Sequence, residues 1–75
     1  MRVQVKLFGE LAIGAGGDLI TLELSPGSTV ADAISTLQYR SGEVWLTKIG
    51  RNLVDRDHPL QDGDTLVLFP AVGGG

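Results

Sequence analysis

Val3, Val5 and Leu7 alternate with Gln4 and Lys6, and Ile20, Leu22 and Leu24 alternate with Thr21 and Glu23. A period of two is that of strands buried on one face, so the chain opens on a hairpin. Its connection, Gly9 to Asp18, carries Gly9, Gly14, Gly16 and Gly17 and reads as a mobile loop with a short helical turn at Glu10 to Ile13. Ser25-Pro26-Gly27 stops the second strand. Thr29 followed three residues later by Asp32 has the form of a capping box, and Val30, Ala33, Ile34 and Leu37 fall at helical spacing behind it. One amphipathic helix therefore follows, ending by Gly42. Val44 to Ile49 reads as a third strand, Asn52 to Val54 as a brief fourth, and Thr65 to Phe69, after the Asp62-Gly63 turn, as a last strand cut off by Pro70. The order β-β-α-β-β-β predicts an α+β fold, a mixed sheet covered on one face by a helix.

The last strand carries more than fold information. Leu66, Val67, Leu68 and Phe69 are consecutively apolar, so both of its faces are expected to be dry, whereas one helix covers one sheet face. Phe8 has the opposite parity to Val3, Val5 and Leu7 and points away from the helix. An exposed apolar patch is expected around Phe8, Val67 and Phe69, with Leu60 as a neighbour from the preceding turn. The helix-facing core is expected to hold Val3, Val5, Leu7, Ile20, Leu22, Leu24, Val30, Ile34, Leu37, Leu66 and Leu68.

Composition narrows the chemistry. With 75 residues, the unfolded chain exposes about 11,500 Å² and a folded one roughly 4,400 Å², the scale of one small domain. A 43% hydrophobic content and a net charge of −3 are those of a folding chain rather than a disordered one. Without cysteine there is no thiolate nucleophile or disulfide, and one histidine does not make a metal site, so no metal and no bound cofactor is expected. Nine acidic against six basic side chains argue against nucleic acid. No apolar run reaches the length of a membrane span, and Glu10 interrupts the stretch that follows Arg2 and Lys6, so neither membrane nor export is expected and the cytoplasm is the expected compartment. Asp55, Asp57, Asp62 and Asp64 lack the spacing of a calcium loop and read as turn and capping residues; His58 before Pro59 reads as a turn residue, and Tyr39 and Trp45 as packing or surface aromatics.

The strongest chemical signal is the end of the chain. The expected organisation is a domain over residues 1–70 and a flexible tail over 71–75, Ala71-Val72-Gly73-Gly74-Gly75, which extends at most about 17–20 Å. Glycines lack Cβ, suit a narrow tunnel in a partner, and leave the terminal carbonyl open to attack. A frayed terminus is the plain alternative.

Leu53-Val54, Asp57-His58-Pro59-Leu60, Asp62-Gly63-Asp64 and Phe69-Pro70 with the glycine end closely resemble the end of the MoaD family, the β-grasp, ubiquitin-like small subunit of molybdopterin synthase. Thr29-Val30-Ala31-Asp32-Ala33 and Leu7-Phe8-Gly9 are also similar to that family, so the resemblance spans the chain. Ile49-Gly50-Arg51-Asn52 departs from the Val-Asn-Gly turn common there, the chain is shorter than many members between helix and third strand, and a third glycine at Gly73 is similar to ThiS, the thiazole sulfur carrier. The resemblance implies a sulfur carrier. An E1-like, MoeB-like enzyme using ATP and Mg²⁺ adenylates Gly75, a protein sulfur donor converts it to a thiocarboxylate, and a MoaE-like large subunit receives the tail. In that setting Gly75 and Gly74 form the reactive end, and Phe8, Leu60, Val67, Phe69, Pro70, Val72 and Gly73 face partners. A ThiS-like thiazole carrier, and a ubiquitin-like modifier conjugated through Gly75, stay open beside it.

Overall fold

A computed structural model describes residues 1–71, Ser41 by its backbone alone. In chain order the elements are β1 (Arg2–Leu7), α1 (Gly9–Ala15), β2 (Leu19–Glu23), α2 (Val30–Thr36), a 3₁₀ turn at Ser41–Glu43, β3 (Val44–Ile49), β4 (Asn52–Leu53) and β5 (Thr65–Pro70). They form one five-stranded sheet in the order β2-β1-β5-β3-β4. β1 and β5 pair in parallel at its centre, Gln4 opposite Thr65 through Leu7 opposite Leu68. The other pairings are antiparallel, so the sheet is mixed. With α2 packed on one face, this is the expected β-grasp, ubiquitin-like fold.

The alternation places Val3, Val5 and Leu7 from β1 and Leu66 and Leu68 from β5 in one fully buried layer, against Val30, Ala33 and Ile34 of α2. The parity of the last strand follows expectation: Leu66 and Leu68 are buried, and Val67 and Phe69 are half-buried on the other face. Ile20, Leu22 and Leu24 pack at the core's edge rather than inside it, because β2 is an outer strand, and Leu37 does so because it stands at the C-terminal cap of α2. Helix α2 starts as its sequence dictates. The Asp32 amide donates to Thr29 Oγ1 at 3.3 Å and the Thr29 amide to an Asp32 carboxylate oxygen at 2.8 Å, a reciprocal cap that satisfies two otherwise orphaned donors.

Two regions differ from the sequence reading. The Gly9–Asp18 connection holds a seven-residue helix, α1, where a loop with a short turn was expected. Leu11 supplies the reason: it is buried in the core, and Gly16, at a φ of 78°, caps the helix by donating to the Ala12 and Ile13 carbonyls. Packing of one leucine outweighs the two glycines, Gly9 and Gly14, within the helix. Tyr39 then ties α1 to the end of α2, its hydroxyl donating to the Leu11 carbonyl. The second difference concerns β5, which continues through Pro70 instead of stopping before it, with Pro70 opposite Val44.

Truncating the fully buried Leu66 to Ala is expected to cost about 2–5 kcal/mol in urea unfolding, through lost transfer energy and the cavity left behind. Burial, and secondarily the charge of Glu43, raise the Tyr39 phenol above its ordinary range. A raised folded-state pKa favours the protonated hydroxyl, so its contribution is whole below about pH 10 and fades as pH climbs through the folded value. Tyr39→Phe is therefore expected to lose about 1 kcal/mol at neutral pH, with the gap to the native chain closing in strong alkali. Denaturant midpoints of both chains at pH 7 and pH 11 check this.

Candidate functional site

The register Leu7 opposite Leu68 carries forward into two neighbouring pairs at the end of the parallel ladder. Phe8 and Phe69 come side by side on the face away from the helices, their rings parallel with centroids 4.9 Å apart. That spacing is an offset stack, favourable beyond its buried area. One residue on, Gly9 meets Pro70: a Cβ at position 9 would stand 3.0 Å from Pro70 Cγ, and Gly9 has a φ of 55°. Leu-Phe-Gly and Phe-Pro are thus two halves of one joint. Glycine both turns the chain into α1 and lets the proline ring close over it.

The rest of this face is set by strand order. A row crosses all five strands: Leu19, Lys6, Val67, Lys48 and Leu53 are successive cross-strand neighbours on β2, β1, β5, β3 and β4. Leu46 lies opposite Phe69. The Lys6 Nζ stands 5.5 Å from the centre of the Phe8 ring and the Lys48 Nζ 5.9 Å from that of Phe69, within range of cation–π attraction. The face is an aromatic pair beside a row in which Leu19, Val67 and Leu53 alternate with two lysines, on a protein of net negative charge.

Phe8, Val67, Phe69 and Pro70 are brought together here as the sequence indicated. Phe8 is 38% exposed, and Val67, Phe69 and Pro70 are half-buried. Leu60 is a correction. It is 4% exposed and belongs to the core, because its amide donates to the Ser28 carbonyl at 2.8 Å and the Thr29–Pro59 bridge draws the segment beneath the start of α2. Val72, Gly73, Gly74 and Gly75 lie outside the described residues. Sequence reasoning passed over Lys6, Lys48, Leu46, Leu19 and Leu53: parity places Lys6 and Leu19 on this face, but Leu46 and Lys48 share the parity of the buried Val44 and reach it only through the register shift between Val44 and Leu46, and only strand order makes the row neighbours.

The acidic turn residues serve the backbone. An Asp62 carboxylate oxygen accepts from the Arg2 amide at 2.7 Å, and one of Asp64 from the Gln61 amide at 2.8 Å, which anchors the turn before β5 to the start of β1. His58 is exposed in a turn, its carbonyl accepting from Val30 at 3.0 Å. Arg56 donates to the Val44 carbonyl. Among the described residues no group of three or more His, Cys, Asp or Glu is placed to hold a metal ion, and no helix is long and apolar enough to cross a membrane. The chemistry this arrangement supports is presentation: a docking face next to the point where the chain leaves the sheet.

No curated protein sequence matches the chain. Among solved structures, SAMP1 from Haloferax volcanii is similar with a TM-score of 0.81 at 23% identity, covering 100% of both chains. A candidate molybdopterin converting factor subunit 1 from Pyrococcus furiosus reaches a TM-score of 0.79 at 29% identity, covering 96% of this chain and 99% of that one. A chain from the complex of subunits 1 and 2 of the molybdopterin-converting factor of Helicobacter pylori 26695 reaches 0.65 at 24% identity, covering 100% of both. At their identities the first and third bear on the fold alone. The ThiS family model matches residues 5–75, nearly the whole length, including both halves of the aromatic joint and the glycine end. The chain therefore belongs to the ThiS family, whose ThiS-like and MoaD-like members are sulfur carriers built on the ubiquitin fold.

Proposed function

We propose that this chain carries sulfur for molybdopterin assembly as a thiocarboxylate on Gly75, acting as the small subunit of molybdopterin synthase. The observation that carries this is the Phe8–Phe69 stack, open on the helix-free face and two residues before Ala71, where the chain heads toward its glycine end. The 29% identical relative from Pyrococcus furiosus, described as a converting factor subunit 1, supports the molybdopterin branch over the thiazole one. Its description as subunit 1 supports a second subunit as partner.

A free carboxylate does not exchange oxygen for sulfur unaided, because oxide is a poor leaving group. An E1-like adenylating partner, MoeB-like in class, transfers AMP from MgATP to the Gly75 carboxylate and releases pyrophosphate. Hydrosulfide released from a protein donor attacks the acyl carbon, a C–S bond forms, AMP leaves with the electron pair of the broken C–O bond, and a thiocarboxylate remains. The tail then enters a MoaE-like large subunit, which consumes the sulfur. ATP, Mg²⁺ and the acids and bases belong to the partners, and these ATP-dependent steps set the carrier in the cytoplasm. This chain supplies the reactive carboxyl and fixes its reach from a docked body, so its contribution is positional. Pro70, Val72, Gly73 and Gly74 are the segment that spans that distance, and both partners use the same face, so they bind in turn. Conjugation through Gly75 to lysine shares the adenylate step; a rise of about 16 Da mapped to Gly75 after activation separates sulfur carriage from it.

Phe69→Ala is expected to weaken binding to the adenylating enzyme or large subunit by about 30-fold or more, as loss of a central aromatic anchor does, with a smaller loss of thermal stability. Titration calorimetry beside a thermal melt tests it; unchanged affinity with a collapsed melting temperature would make Phe69 a core residue. Deleting Gly75, or adding one residue after it, shifts the carboxylate by about 3.3 Å. Misplacement by 1 Å can cost about a hundredfold in rate, so sulfur transfer should be abolished while fold and affinity persist. AMP release followed by mass spectrometry of the terminus checks this, and equal thiolation of the truncated chain would leave the glycines without a role.

A further inference from the structure

The chain contains two lysines, Lys6 and Lys48, and the fold sets both on the docking face, one on each side of Val67. Both reach over the aromatic pair, Lys6 toward Phe8 and Lys48 toward Phe69. In a molecule of net charge −3, this is where the side-chain amines are gathered, and every other basic side chain is an arginine. An occupant that covers the rings therefore also covers both ammonium groups, and charge complementarity requires it to bring carboxylates to an apolar contact surface.

Resting on the carrier reading above, we infer that partner docking and lysine acylation of this chain exclude one another. The two side-chain amines that receive a carboxylate-bearing partner are also the ones that can capture an activated acyl group, such as the C-terminal adenylate of a second copy. In that capture the deprotonated Nζ attacks the acyl carbon and a C–N bond forms. The C–O bond to AMP breaks, AMP leaves with the electron pair, and the amine proton passes to buffer. The resulting amide is neutral and bulky, so it removes a charge from the docking face and obstructs the rings. A docked carrier is shielded from such side reaction while tails are being activated around it, and an acylated one is withdrawn from the cycle.

The test treats the full chain with sulfo-N-hydroxysuccinimide acetate, free and in complex with its E1-like adenylating enzyme, and maps acetyl groups by mass spectrometry. Complex formation should slow acetylation of Lys6 and Lys48 at least tenfold. The acetylated native chain should then bind the enzyme at least tenfold more weakly than before treatment. A K6R/K48R chain, which keeps both charges without a side-chain amine, should have the same Kd before and after treatment, so that reaction at the α-amine is controlled. Acetylation at equal rates in free and bound chains, or an unchanged Kd after acetylation of the native chain, overturns the inference. AMP release by the untreated chain is measured first: its absence overturns the carrier reading itself, whereas its presence with unprotected lysines overturns only the exclusion.

Discussion

The parallel pairing of β1 with β5 is the constraint on which the rest of this molecule depends. It joins segments about sixty residues apart in the chain, Gln4 to Thr65 and Leu7 to Leu68, and makes them the centre of the sheet. Closing so long a loop costs entropy that local contacts do not return. The return comes from the fully buried layer that the pairing assembles, with Val3, Val5 and Leu7 beside Leu66 and Leu68. Asp62 reinforces the same junction from outside by accepting the Arg2 amide at the head of β1.

The same ladder determines what the opposite face presents. Because side chains alternate, every residue committed to the core on β1 and β5 obliges its neighbour to the open side, and in-register pairing places those neighbours together. Phe8 meets Phe69, and Lys6 meets Val67, as consequences of Leu7 meeting Leu68. A small domain therefore gains an open aromatic face at no additional cost in core residues. Lys6 and Lys48 reach over the two rings from either side of Val67, within range of cation–π attraction.

Gly9 and Pro70 finish the joint and explain why a short motif at each end belongs to one device. A side chain at position 9 would press on the proline ring 3.0 Å away, and Pro70 begins the route out of the sheet. The direction in which the chain departs toward its glycine end is thereby coupled to the position of the aromatic stack. In the sulfur carrier proposed above, that coupling would fix how far the terminus reaches from a docked body.

Much of this was legible in the residues alone. Alternation determined the first strands and the faces of Val3, Val5 and Leu7; Thr29 and Asp32 determined where α2 starts; the parity of Phe8 determined that it leaves the core, and the unbroken apolar run Leu66 to Phe69 determined that β5 is dry on both faces. These are short-range properties, set by the period of a strand or the geometry of one helical turn. The tertiary structure decided what depends on lateral neighbours. It folded a glycine-rich connection into α1 because Leu11 found the core, drew Leu60 inward beneath α2, and gathered Leu19, Lys6, Val67, Lys48 and Leu53 into one row. Period and capping describe a segment along its own axis, whereas strand order acts across it, and only the assembled sheet holds that second dimension.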